Sequence, residues 1–334
     1  MKTNSRALTT HSLLVITLLA AIAALCPRPA AAGTLNTSII GMFPRETGEF
    51  AYADMKTARQ FSWFPALRDQ LLPSRFRDFE KFLTSSGTDP NSTVEEVAWA
   101  TLNGSELGDE IVGVALGSFN PDTAEAKFKQ QKLPMLQSHS YKLYAFGSGQ
   151  GAGDILFVFL DSSTAAFGNR KALEKLLDVR SGGSESLLSN NLLFPLIGEV
   201  NGHSTVWAVL DKRFTNLGMT QLLPQADQFP DAAKIIARLH AMVISVDTSS
   251  DISTHFQAVC DSPADANVLA AALQAGVMYR KYQESQSDPA LAKALDSVRV
   301  TPTGDRLKVD APVSKEQVAD LIRSHAFAPP SGSN

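Results

Sequence analysis

Gln70-Leu71-Leu72-Pro73 recurs as Gln221-Leu222-Leu223-Pro224, 151 positions downstream, and the flanks repeat with it. Upstream of each copy lies a short apolar strand ending in an acid, Phe50–Asp54 in the first and Val206–Asp211 in the second. Downstream, each copy has a helical stretch and then a strand, Val97–Ala100 against Met242–Ser245. The next strands end in Asn120-Pro121-Asp122 and Asp261-Ser262-Pro263, where a polar cap followed by proline opens a helix. Each copy then closes with a hairpin and a helix: Tyr141–Ser148, Asp154–Asp161 and the helix from Arg170; Val298–Thr301, Arg306–Asp310 and the helix from Ser314. A repeat of this length is a structural unit rather than a short motif. The expected fold is therefore α+β: two related modules from an internal duplication, each a mainly antiparallel sheet covered by helices on one face.

The first 32 residues read as a cleavable signal peptide. Lys2 and Arg6 precede the uncharged run Leu13–Leu25, and Ala30-Ala31-Ala32 supplies a small-residue cleavage site. The run is too short for a spanning helix, which needs about 20 apolar residues. Cys26 is preceded by Leu25 rather than by a small residue, so a lipoprotein anchor at Cys26 is not expected. After cleavage near Ala32 the chain is expected to be exported, periplasmic or extracellular, with no transmembrane segment.

Four regions follow: the signal peptide 1–32, a first α+β module over 33–200, a second over 201–326, and a disordered tail over 327–334. The module boundary falls after a helix expected over Leu187–Val200. Removing Lys2, Arg6 and Arg28 from 30 basic residues leaves 27 against 34 acidic, a net charge of −7. That balance gives no electrostatic footprint for nucleic acid. Cys260 is then the sole cysteine, which excludes an intramolecular disulfide and a cysteine-ligated zinc cluster. Its place in the alternating run Thr254, Phe256, Ala258, Cys260 reads as a buried strand position.

The segment Asp161–Asp211 carries an apolar strand, a Gly168-Asn169 turn, the helix start Arg170–Glu174, the string 186–191 and the strand Val206–Asp211. With Gly87-Thr88-Asp89-Pro90 ahead of Val94–Val97, this resembles a broad group of functionally uncharacterised exported bacterial proteins with duplicated α+β modules. The resemblance implies the fold and the export route. It brings no active-site residues and no cofactor.

No catalytic signature stands out. Gly147-Ser148-Gly149-Gln150-Gly151-Ala152-Gly153-Asp154 lacks the lysine and the following helix of a phosphate loop, so it reads as a mobile hairpin tip. None of the six histidines forms an i, i+4 pair or a metal motif, so no metal site is expected. His240 and His255 border adjacent predicted strands and could meet across a turn. Glu95 with Glu96, and Asp109 with Glu110, are sequence neighbours whose side chains point to opposite faces of a strand.

The functional lead is aromatic. Phe61, Trp63 and Phe64 are followed by Phe76, Phe79 and Phe82, the last three forming a stripe on one helical face. That stripe either covers the first sheet or forms a face for an apolar ligand or partner. A second helix, Ala264–Tyr282, carries Val268, Leu269, Leu273, Val277 and Met278 among small residues suited to packing on a sheet. These readings favour non-enzymatic binding of an envelope partner or apolar small molecule, without a cofactor. The alternatives are a hydrolase with a dispersed site between the modules, and an assembly or structural factor.

Overall fold

The computed structural model describes residues 33–60, 64–65, 74–103, 110–151, 153–222, 234, 236–247 and 252–314. The expected signal peptide, Phe61, Trp63, residues 70–73, Leu223 and Pro224, Asp109, and the expected C-terminal helix and tail beyond Ser314 lie outside the described residues. The chain forms two compact units. One comprises Leu35–Lys56 with Leu72–Phe194, the other Thr57–Leu71 with Pro195–Asn334.

The first unit holds Thr47–Asp54 (β1), helix Ser74–Ser85 (α1), Val94–Leu102 (β2), Glu110–Gly117 (β3) and helix Pro121–Gln130 (α2). Then come Met135–Ser138 (β4), Tyr141–Phe146 (β5), Ile155–Phe159 (β6), Thr164–Gly168 (β7) and helix Arg170–Arg180 (α3). Its strands pair antiparallel throughout, in the order β1-β2-β3-β7-β6-β5-β4. The cap residues act as the sequence predicts. Asn120 accepts from the Thr123 amide at 3.2 Å to start α2, and Asn169 accepts from the Ala172 amide at 3.4 Å to start α3.

The apolar strand expected ahead of the Gly168-Asn169 turn is β7, and one strand, β4, goes beyond the expected elements. Cover on one face is also too little for this sheet. Ile155 and Phe157 of β6 are buried among aromatic rings, and Leu156 and Val158, pointing the other way, are buried too.

The helix expected over Leu187–Val200 is two elements, a single 3-10 turn at Leu187–Ser189 and helix Leu193–Val200 (α4). Asn190 causes the break. Its side-chain Oδ1 accepts from the backbone amides of Leu192 and Leu193, capping a new helix, while its Nδ2 donates to the Arg45 carbonyl at 2.9 Å.

The second unit continues with Val206–Leu210 (β8), helix Lys212–Leu222 (α5), Leu239–Asp247 (β9), Ile252–Cys260 (β10) and helix Pro263–Ser287 (α6). It ends in helix Pro289–Leu295 (α7), Arg299–Thr303 (β11) and Arg306–Val313 (β12). The strand order is β8-β9-β10-β12-β11, again antiparallel. In both units three successive strands are neighbours, a helix follows, and the last strand of the unit returns beside the third. Cys260 is buried, as its place in the alternating run predicts. Burial, with the carboxylates of Asp265, Asp305 and Asp261, pushes its thiol up to about 11, so it stays protonated and unreactive at neutral pH. Among the described residues no helix is long and apolar enough to cross a membrane.

Candidate functional site

Helix α6 is the longest element described, 25 residues. Ser262 caps it, accepting from the Asp265 amide at 3.2 Å, and Pro263 fits the first turn. Its inner face carries Ala266, Leu269 and Ala270, all buried, and the helix packs on β10, β11 and β12. Gln274 ties the middle of the helix to the sheet through the Val300 carbonyl at 3.1 Å. From Ala271 onward no residue of α6 is buried.

The outer face is apolar as well. Val268, Ala271, Ala275, Met278 and Tyr282 follow one another at alternating spacings of three and four, which places them in one stripe along the helix. All are exposed, Met278 by 72% and Tyr282 by 80%, with Tyr279 beside them at 54%. An apolar row this continuous is different from singly scattered surface hydrophobics. The neighbouring charges are already engaged: Arg280 pairs with Glu284 at 2.7 Å and Lys281 pairs with Asp296. The result is an uncharged strip that opens at Val268, narrows to Ala271 and Ala275, and widens to Met278 and Tyr282.

The aromatic stripe of α1 has the opposite fate. Phe79 is 6% exposed and packs on Phe157 at 5.2 Å and Phe146 at 5.6 Å between ring centroids. Phe82 lies 5.4 Å from Phe146 and 6.1 Å from Phe128, and Phe76 packs against the same cluster; both are half-buried. The rings of α1 thus meet rings from α2, β5 and β6 inside the first unit's own core.

The glycine-rich string is organised by Asp154, so a loose hairpin tip is an incomplete description. Its carboxylate accepts from Ser148 Oγ at 2.8 Å, from the Gly151 amide at 2.9 Å and from Arg75 of α1 at 3.1 Å. Burial pushes this carboxyl up, but the hydrogen bonds from Gly151, Ser148 and Gly149 and the Arg75 guanidinium outweigh it and hold it below its ordinary value. Gly147 and Gly149, at φ 126° and 78°, supply the left-handed backbone the turn needs. Asp154 thereby ties the loop to α1.

His240 separates from His255, and Glu95 from Glu96, rather than converging. The β9–β10 register sets His255 opposite Ser245 and Leu239 opposite Cys260, so His240 and His255 sit at different ends of the ladder. They pair with Asp261 and Asp310 respectively. Glu96 accepts from the buried Tyr52 hydroxyl at 3.0 Å while Glu95 faces Lys56 at 3.4 Å. Burial, opposed by the Tyr52 hydrogen bond, raises the Glu96 carboxyl above its ordinary value. Among the described residues no group of three His, Cys, Asp or Glu side chains is placed to hold a metal ion.

One constellation was invisible in the sequence because its third member, Asp178, lies 39 positions from His139. His139, in left-handed backbone at φ 53°, has Nδ1 3.2 Å from Ser138 Oγ and Nε2 2.8 Å from Asp178 Oδ1. It borders an open cleft of about 440 Å³ lined by Ser38, Met42, Tyr141, Arg180 and Ser181. The side chains of His139 and Asp178 are 34% and 48% exposed, so water competes for each of these bonds.

No family model matches the chain, and no curated protein matches it. It is similar to solved structures of TP0453. Crystal form I has a TM-score of 0.48 at 12% identity, covering 90% of this chain and 100% of that one. Crystal form III has a TM-score of 0.48 at 11% identity, covering 85% and 97%.

Proposed function

We propose that this chain is an exported, non-enzymatic binding protein built from a duplicated α+β unit. Its working surface is the outer face of α6, which docks an uncharged apolar helix presented by a partner protein. The observation that carries this reading is the exposed row Val268, Met278, Tyr279 and Tyr282 on a helix whose inner face is already packed. Tyrosine and methionine suit such a face, because tyrosine brings large area at low entropic cost and methionine adapts its shape. Export rests on Lys2, Arg6, the Leu13–Leu25 run and Ala30-Ala31-Ala32; duplication rests on the sequence repeat and on the shared strand order of the two units. Binding through Phe76, Phe79 and Phe82 instead would require α1 to lift from the sheet. That would expose aromatic side chains worth about 1.5–3 kcal/mol each when fully buried.

A photo-crosslinking side chain at position 282, introduced in cells, tests the reading. The expected result is a discrete protein adduct at 282 whose cross-linked peptide comes from an apolar helix face, and none at the exposed Lys308. Absence of an adduct at 282, or the same adducts at 308, would overturn it.

A second reading, hydrolysis, is favoured by Ser138, His139 and Asp178. With Nε2–H donated to Asp178, Nδ1 of His139 is free to take the Ser138 proton as the hydroxyl attacks an acyl group. A fluorophosphonate probe that labels Ser138 in the native chain, and not in His139→Ala, would support this reading. No label on Ser138 would remove it.

A further inference from the structure

Resting on the reading of α6 as the docking face, we infer that its occupant is a second copy of this chain, paired helix to helix in antiparallel orientation. The argument is one of size and charge. The exposed row Val268, Ala271, Ala275, Met278, Tyr282 alternates spacings of three and four, the spacing at which one helix side packs along another. Its largest residues, Met278 and Tyr282, lie at the C-terminal end, and the small Ala271 and Ala275 lie between them and Val268. In an antiparallel pair with a two-fold axis between Gly276 and Val277, Tyr282 of each copy lies over Ala271 of the other. Met278 likewise lies over Ala275 of the second copy. Large side chains then fill the space left by small ones at these two levels, Val268 faces Ser285 at the rim, and the same patch serves both copies. A parallel pair would instead set Tyr282 against Tyr282 and leave a gap between facing alanines.

Charge points the same way. The antiparallel register puts Lys281 opposite Ala272 of the second copy, so no like charges meet. Arg280 and Lys281 already hold Glu284 and Asp296, which leaves the strip without free cations for an anionic surface such as a lipid headgroup layer. The strip is short, about 21 Å from Val268 to Tyr282 at ~1.5 Å per residue. A contact confined to it falls below the roughly 1,000 Å² of a stable interface. The pair is therefore one that forms and dissociates with concentration.

Sedimentation velocity on the protein purified from its own envelope, from ~10 μM to ~1 mM, reads this directly. The wild-type chain should pass from monomer to dimer across the series. Ala271→Glu and Tyr282→Lys, both at exposed positions, should each weaken pairing at least tenfold. The double variant A271E/Y282K, which sets a glutamate against a lysine of the second copy twice over, should recover dimer. A wild-type chain that stays monomeric throughout would overturn the inference, as would a dimer indifferent to both single changes or a double variant no better than the singles. The failures are separable. An adduct at 282 derived from a different protein would keep the docking face and remove the second copy as its occupant, whereas no adduct at all would remove both.

Discussion

Helices α1 and α6 carry the chain's two apolar helical faces that most resemble binding surfaces, and the structure uses them in opposite ways. On α1 Asp78 and Lys81 are exposed and Phe79 is enclosed by rings from β5 and β6. On α6 the enclosed side is made of Ala266, Leu269 and Ala270, while Met278, Tyr279 and Tyr282 stay outside. An aromatic stripe by itself therefore does not mark a docking face. What separates the two is whether the apolar positions fit on one side of the helix. The 12 residues of α1 have one apolar side, and the first unit's sheet meets it with Tyr144, Phe146 and Phe157. The 25 residues of α6 have more apolar positions than one sheet-facing side can take.

The contrast yields graded expectations. Phe79→Ala should cost about 3–5 kcal/mol of unfolding free energy, as removal of a core phenylalanine does, in a urea titration followed by circular dichroism. A loss below 1 kcal/mol would mean that the α1 stripe is not core. Leu269→Ala, on the inner side of α6, should cost about 2–5 kcal/mol in the same assay. Asp154→Asn should cost about 1–3 kcal/mol, because it strips charge from the hydrogen bonds that tie the loop to α1. The sign with pH follows from the lowered carboxyl. Its stabilisation is complete above the ordinary value of 3.8 and disappears as pH falls through the lower folded value. The acid limb of a stability profile should accordingly be shallower in D154N than in the wild type. Smallest of all, Tyr282→Ala should change stability by no more than about 0.5 kcal/mol, as expected of a surface side chain, while abolishing docking. A large stability loss there would place Tyr282 in a packed environment and erase the contrast.

What the sequence disclosed was mostly local. Helix starts at Asn120, Asn169 and Ser262 were readable because a cap and the amide it binds are neighbours in the chain. The burial of Cys260 followed from strand alternation. The α+β class and the antiparallel pairing followed from short turns between alternating runs. By contrast, β4 is only four residues long, and its pairing with β5 is what defines it. Asn190 was expected inside a helix because its hydrogen bond to the Arg45 carbonyl spans 145 positions. Asp178 likewise reaches the neighbours Ser138 and His139 only through tertiary folding. The outer face of α6 had a visible signal, two apolar rows on one helix, but which row faces the sheet depends on the strands behind it.

Methionine oxidation tests the central claim most directly, because Met278 at 72% exposure and Met135 of β4 at 54% form an internal pair. Cells and dilute purified protein would each be pulsed with peroxide, and sulfoxide at both residues quantified by peptide mass spectrometry. In dilute solution both should oxidise at comparable rates. In cells the docked face proposed for α6 should protect Met278 several-fold relative to Met135. Equal oxidation of the two residues in cells would contradict a docked α6 and leave its apolar row a bare surface.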